Sequence, residues 1–396
     1  MLQRVVIQNY KSIAFCDVPL GPLNFLVGLN GSGKSNFVDA LPFCRDALRK
    51  GFEQALTDRE ASLASLSHIP WRRERGFGMR FELVLADGRS AHYSFSLFEQ
   101  TPRGFAVRRE ECVIASSDGG APISFSVDSG QAQTSFGGPQ VLSDGQLYLI
   151  HAAGAQEVRP VYDALANMEF YDPDPRPMKI VLDSSGRPGM LDTNGGNAAS
   201  VLSRIEAEDQ WAKVRIEEYM RRILPGLTGI EMGKFRSHKL LNFVQSVGGT
   251  LKHDFEANSM SDGTLRALAI LIALFQRNEG SDTPGMVAIE EPETGIHPAA
   301  AGIPLDSLIE RSNFGQILVT SHSADLLDSK DLPSDAILSV EMSAGGTRIG
   351  KLDAAGRSIL KKRLFTAGEL LRMDNLHPEP AHAEHVNDPS HVFDKA

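Results

Sequence analysis

The chain has 396 residues, 42% hydrophobic and 23% charged, the makeup of a soluble globular protein large enough for one big domain or two to three ordinary ones, not of a disordered chain. Its 40 basic against 50 acidic side chains leave a formal charge of −10, which excludes a surface attractive to nucleic acid over its whole extent and leaves only a local basic groove open. Cys16, Cys44 and Cys112 stand at no metal-ligand spacing, with one left over from any pairing; this fits a reducing cytoplasm and excludes a disulfide scaffold.

From the N-terminus, MLQRVVIQNYKS lacks the apolar core of a signal peptide. Residues 4–8 and 22–27 read as two strands around a turn, followed by a Gly-rich loop and a helix from about Lys34 to Arg49. From about 78 to 148 the pattern alternates in the runs MRFELVLA, SAHYSFSLFE, FAVRREECVIA and ISFSV, with turn signals at Asp87-Gly88 and Asp118-Gly119-Gly120; antiparallel hairpins are expected. Residues 158–169 and about 197–224 read as helical, the latter stopping at Pro225-Gly226. Strand-like runs follow around 229–246, and strands alternate with helices from 263 to about 350, as in an α/β unit with a parallel sheet. The longest apolar stretch, Leu268 to Phe275, is far short of the roughly 20 residues that span a bilayer, so a soluble, cytoplasmic protein without membrane partners is expected. The tail after about 374 has the Pro, His, Asn and Asp content of a disordered segment. The expected segments are therefore a first half-domain (1–77), a β-rich lobe (78–150), a helical insert (151–228), a second half-domain (229–373) and a tail (374–396).

The strongest motif is Gly28-Leu-Asn-Gly-Ser-Gly33-Lys34-Ser35, between an apolar strand and a helix. Glycines let main-chain N–H groups wrap phosphates, Lys34 brings a positive charge to the β and γ phosphates, and the Ser35 hydroxyl can ligate Mg²⁺. The expected nucleotide contacts are Gly28, Asn30, Gly31, Ser32, Gly33, Lys34, Ser35 and Asn36. A Gly-rich turn of no function is the competing reading, and the strand–loop–helix context counts against it.

Val287-Ala-Ile289 leads into Glu290-Glu291-Pro292. Carboxylates at the end of a buried parallel strand face a ligand; Glu290 is assigned to the metal and Glu291 to the attacking water. Upstream, Ser261-Asp262-Gly263 opens a helix. Alone it is a good N-cap; just before an acidic strand it reads as an anion site on the freed N–H groups. A further apolar strand, Gln316 to Thr320, ends in Ser321-His322-Ser323. Alone His322 reads as a structural histidine; in this order it is a candidate sensor of the γ-phosphate or the catalytic water.

Basic candidates for a DNA contact are Arg72, Arg73 and Arg75 beside Trp71, then Lys213, Arg215, Arg221 and Arg222, and the run Gly233 to Lys239. Acidic neighbours Glu206, Glu208, Glu217 and Glu218 favour a solvated helix face for the second group. His377, His382, His385 and His391 have no cysteine among them and do not read as a metal cluster.

The order of phosphate loop, SDG signature, acidic strand and histidine, with Asn9-Tyr10-Lys11-Ser12, GLNGSGKSN, MSDGTLR, EEPETGIHP and TSHSADLL, resembles the ABC-like ATPase heads of the SMC, RecF and OLD group. The likeness covers roughly 1–50 and 255–345. It implies an α/β P-loop NTPase fold of the ABC ATPase-head type, ATP and Mg²⁺ as ligands, and two heads sandwiching two ATP molecules. In that arrangement Ser261, Asp262 and Gly263 would face the partner's phosphate loop, and Glu293-Thr-Gly-Ile-His-Pro298 would be the loop at the dimer seam. Glu290 departs from the usual Asp, and Gln156 is a weak counterpart of the family's glutamine loop. The long coiled coil of SMC proteins is absent, and about 70 residues after His322 leave no room for the OLD nuclease domain, so a nuclease effector would be a separate polypeptide. The resemblance implies a switch in DNA repair or anti-phage defence, acting as a homodimer or higher oligomer; the alternatives are a RecF-like DNA clamp and, disfavoured by the β-rich lobe, a transporter motor. Lys34→Ala is expected to abolish ATP binding, as read by equilibrium titration with a fluorescent ATP analogue.

Overall fold

The computed structural model describes residues 1–68, 76–101, 104–137, 146–179, 189–235, 238–247, 251–277, 285–296, 302–329 and 332–379. Three strands open the chain, β1 (Leu2–Tyr10), β2 (Ile13–Pro19) and β3 (Leu23–Val27), followed by α1 (Lys34–Lys50), α2 (Phe52–Thr57) and α3 (Leu63–Leu66). The alternating region forms β4 (Gly76–Val84), β5 (Ser90–Thr101), β6 (Gly104–Ile114), β7 (Ile123–Asp128) and β8 (Gln131–Thr134). Next come α4 (Tyr148–Ala152), α5 (Arg159–Ala166), β9 (Met168–Tyr171), α6 (Pro175–Met178), α7 (Ala198–Glu208) and α8 (Gln210–Ile223). Strands β10 (Leu227–Phe235), β11 (His238–Val247) and β12 (Leu251–Glu256) precede α9 (Asp262–Phe275), β13 (Met286–Glu290), α10 (Gly302–Ser312), β14 (Gln316–Ser321) and α11 (Ala324–Leu327). The described chain closes with β15 (Ile337–Ser343), β16 (Gly346–Lys351), α12 (Ala354–Lys361) and α13 (Ala367–Arg372).

Three local expectations change. The opening segment holds three strands instead of two, since Ile13–Pro19 pairs along β1 with only a loose inside–outside alternation. The helix expected over 158–169 stops at Ala166, and Met168–Tyr171 becomes a fully buried strand; a short apolar run after a helix has no period that separates the two states. The segment 197–224 is two helices, because Asp209 ends α7 and caps α8 by accepting from Ala212 N at 3.1 Å.

The chain forms two compact units. The first comprises Met1–Met168, Pro333–Leu364 and the described chain from Met373; the second comprises Glu169–Leu332 and Phe365–Arg372. In the first unit the β-rich region is continuous with the N-terminal hairpin, in one antiparallel sheet of order β2-β1-β4-β5-β6-β7-β8. Tyr10 and Phe77 meet edge to face at 5.1 Å, Phe77 and Phe43 at 5.4 Å, and Phe52 and Phe95 at 5.8 Å, so α1 and α2 are set on that sheet by aromatic packing. The same unit holds β15 between β16, its antiparallel neighbour, and β3, its parallel one. Residues 374–379, expected to begin a disordered tail, are bonded to this layer: Asp353 N donates to His377 O at 3.0 Å and Glu379 N to Lys351 O at 2.8 Å. Positions 380–396, with His382, His385 and His391, lie outside the described residues.

In the second unit β13 and β14 pair in parallel with Glu290 opposite Thr320, and β9 flanks β13. Helix α9 is buried at every position except Asp262 and Arg266, the pattern of a helix enclosed on all sides. Strands β10–β12 form a separate antiparallel sheet.

One buried charge in the first unit is testable. Glu110 accepts from Tyr148 N at 2.6 Å, Leu149 N at 2.9 Å and Tyr93 Oη at 2.9 Å, tying β6 to α4. Burial raises its carboxyl to about 7 despite those three donors. A carboxyl raised on folding keeps its proton longer in the native state, so stability is full at low pH and falls as pH rises through the interval up to about 7. Glu110→Gln is therefore expected to flatten the fall of melting temperature between pH 4.5 and 7, the interval between the ordinary value and the folded one.

Candidate functional site

In the first unit, the phosphate-loop segment follows β3, all five of whose residues are buried, and ends where α1 begins. Gly31 and Gly33 have φ of 79° and 105°, left-handed values that a side chain resists. Gly33 caps α1 without any side-chain hydrogen bond, so the loop's own main chain forms the end of the helix. Two glycines are also required for space. A Cβ on Gly28 would stand 2.1 Å from Val340 O, and one on Gly33 would stand 2.0 Å from Thr347 Oγ1. The loop is thus pressed onto β15 and β16.

A chain of hydroxyls holds it there. Asn36 Nδ2 donates to Ser12 Oγ at 2.6 Å, Ser12 Oγ lies 2.6 Å from Thr347 Oγ1, and Thr347 Oγ1 donates to Ser32 O at 3.0 Å. With the first and last donors fixed, the middle proton belongs to Ser12. Ser12 and Thr347 are supports that motif reading did not assign, although Ser12 sits in the singled-out Asn9-Tyr10-Lys11-Ser12, which forms the β1–β2 turn with Asn9 and Lys11 at positive φ. Lys34 is 6% exposed, and its Nζ donates to Gly28 O at 2.8 Å and Leu29 O at 3.0 Å. Asn30, Gly31 and Ser35 are exposed. Ser32 Oγ is buried with no partner among the described residues. Asn36, expected at the nucleotide, has its amide engaged by Ser12.

In the second unit, Glu290 ends β13 and Glu291 turns the chain with φ 43°, a strained value for a side-chain-bearing residue. Glu291 N donates to Thr320 O at 3.0 Å. Its Oε1 lies 2.9 Å from His322 Nδ1, and Thr294 Oγ1 donates to Oε2 at 3.4 Å. The parallel register explains the first contact, since it ends β13 and β14 side by side. Glu291 and His322 side chains are 37% and 40% exposed, open to a ligand. Beneath them Glu293, raised by burial, accepts from Ser321 Oγ at 2.6 Å, and Ser321 Oγ accepts from Ser323 N at 3.0 Å.

The signature segment belongs to the same unit. Ser261 caps α9 by accepting from Thr264 N at 3.2 Å, and Asp262 pairs with Lys179. Gly263 has no room for a side chain, since a Cβ would come within 2.0 Å of Gly295 O; the loop after the acidic pair packs on the signature turn of the same chain. His297 and Pro298 of that loop lie outside the described residues. Sequence reading also missed Arg266, whose guanidinium reaches the carbonyls of Glu290 at 3.1 Å and Glu291 at 3.4 Å; its signal was one charge in the otherwise apolar run Leu265–Phe275. Gln156 is exposed in the turn before α5, in the first unit.

The helical basic residues are taken up by acids. Lys213 is 5% exposed and pairs with Glu206 at 3.2 Å and Glu217 at 3.0 Å. Arg215 pairs with Glu310 and Glu218, Arg221 with Glu217, and Arg222 with Asp306. Trp71, Arg72, Arg73 and Arg75 lie outside the described residues, as does Arg236 within the run 233–239. Gly33→Ala is expected to cost about 1–3 kcal/mol more than Gly51→Ala, because Gly51 shares the positive φ but has nothing within 4 Å of its Cβ position; urea titration of both variants reads the difference.

Residues 23–328, well over half the chain, match the family described as AAA domain, putative AbiEii toxin, Type IV TA system. The chain is similar to the DNA replication and repair protein RecF of Vibrio vulnificus, strains YJ016 and CMCP6, at 41% identity over 59 residues. That stretch is 15% of this chain and 16% of each relative, so the likeness spans a small part of their length. The fold is similar to that of the Smc head bound to the C-winged helix domain of ScpA, with TM-score 0.52, 14% identity, and coverage of 89% of this chain and 98% of that one. It is also similar to the Smc head domain with an extended coiled coil bound to the C-terminal domain of ScpA, derived from Pyrococcus furiosus, with TM-score 0.51, 12% identity, and coverage of 92% and 99%. The chain belongs to the AAA-domain family so described, and its fold is similar to that of Smc heads.

Proposed function

We propose that the protein hydrolyses ATP, that two copies close around the nucleotide, and that the closed state switches a separate effector protein, such as a nuclease, in DNA repair or anti-phage defence. The observation that carries the hydrolytic part is the contact of Glu291 with His322 at 2.9 Å, at the ends of neighbouring parallel strands. A carboxylate held by an imidazole, with both partly open to ligand, can orient water and take its proton.

ATP with Mg²⁺ fits the residues present. Gly28 and Gly33 leave main chain where a Cβ would collide, and a buried lysine whose head group meets loop carbonyls can exchange those carbonyls for phosphate oxygens. Lys34 would bind the β and γ phosphates, and Gly28 to Ser35 would supply main-chain donors. Ser35 and Glu290 would hold the metal, which when bound neutralises phosphate charge. Glu291 would orient the water, and His322 would sense the γ-phosphate through Glu291. Ser261, Asp262 and Gly263 would meet the nucleotide of the second copy, in keeping with the Smc-head fold. No helix among the described residues is long and apolar enough to cross a membrane, and we read the site of action as the cytoplasm.

The RecF-like stretch favours one second reading, an ATP-dependent DNA clamp. Its mark would be DNA affinity that requires ATP and falls steeply with salt.

Glu291→Gln is expected to lower kcat roughly 100- to 10,000-fold and to double the mass seen by light scattering with ATP and Mg²⁺ present. Normal hydrolysis by this variant would remove Glu291 from its role, and a mass independent of nucleotide would remove closure on ATP.

A further inference from the structure

Arg266 is the one charge inside a helix that is otherwise buried from Gly263 to Phe275. A guanidinium so enclosed must have its donors met. Its side chain, 11% exposed, gathers Pro173 O on Nη1, and on Nη2 the Asp172 carboxylate at 3.0 Å and the carbonyls of Glu290 and Glu291 at 3.1 and 3.4 Å. Nε is buried without a partner among the described residues, so the network is not saturated. The planar fork of arginine can bridge acceptors on two separate segments, which a lysine ammonium cannot do with the same geometry.

Those carbonyls belong to the peptide that carries the acidic pair through its left-handed turn. Thr320 holds the N–H of Glu291 and Arg266 holds its carbonyl. Arg266 also lies only five residues, about 7.5 Å along the axis, from Ser261. Between them Asp262 is paired with Lys179, and Gly263 lies close against the backbone of Gly295.

We infer that Arg266 is a positioning residue that transmits occupancy of the signature turn to the Glu290–Glu291 peptide, so that a ligand at Ser261 sets the geometry of the water-orienting carboxylate. This rests on the ATPase reading above. The signature turn thereby has a regulatory role as well as a binding role: hydrolysis at the acidic pair of one copy responds to what its own signature touches.

The test is a double-mutant cycle on the full chain, with kcat for ATP measured beside the affinity for a fluorescent ATP analogue. Arg266→Ala is expected to lower kcat on the order of 100-fold while changing analogue affinity less than about threefold, and Arg266→Lys should recover only part. Ser261→Ala should lower kcat in the wild-type background and have little further effect in Arg266→Ala, because the two act through one network. If Arg266→Ala does not fold, Asp172→Asn, which removes an exposed anchor of the same guanidinium, should lower kcat in the same direction. Additive Ser261 and Arg266 effects, or an unchanged kcat in Arg266→Ala, would overturn this inference while leaving the ATPase reading intact. A wild-type chain with no ATPase activity would overturn that reading and this inference with it.

Discussion

The left-handed backbone at Glu291 is the constraint that shapes the end of β13 in the second unit. With φ at 43° the chain turns off the end of β13 directly after Glu290. Such a conformation costs on the order of 1–3 kcal/mol and persists only when neighbours fix both sides of the peptide. Thr320 on the adjacent strand does so at the N–H and Arg266 at the carbonyl. The His322 contact then follows from the parallel register, and Ser321 bonds Glu293 below it. Strand pairing, buried arginine and strained turn thus act as one support for a carboxylate.

The first unit solves a different problem by steric means. A loop built to expose main-chain N–H groups has few side chains with which to hold itself. Here the holding is done from outside, by the β1–β2 turn and β16. Ser12 and Thr347 relay a hydrogen bond to the loop carbonyl of Ser32, and the threonine occupies the place that a Gly33 side chain would take. Lys34 is held toward the loop carbonyls, so its charge is already partly desolvated and directed.

Charge elsewhere is used for cohesion. The basic residues of α8 are matched by acids of α7, α8 and α10, in keeping with an overall charge of −10. The described part of the helical insert therefore offers no unopposed positive stripe of the kind that gives proteins a salt-sensitive grip on phosphodiester backbones.

Much of this was legible in order. Glycine at 28, 31 and 33, lysine at 34, the Ser261 cap and the acids at the end of an apolar strand announce themselves because each meets a local requirement: a permitted φ, a freed N–H, or a strand terminus. Alternation with turn signals likewise predicted β4 to β7 as antiparallel strands, while the short β8 was not among the expected runs. The break at Asp209 and the strand at Met168–Tyr171 were not legible, since a cap in mid-pattern and a four-residue apolar run carry no period of their own. Thr347 and Arg266 were beyond reach for a stronger reason. Their partners, Ser12 and Ser32 for one and residues 172–173 and 290–291 for the other, are remote in the chain, and nothing in local propensity records who will be a neighbour. The sequence by itself determined which chemistry is on offer. Only the tertiary structure decided which side chains hold it in shape, because support comes from packing between segments that meet only when the chain has folded.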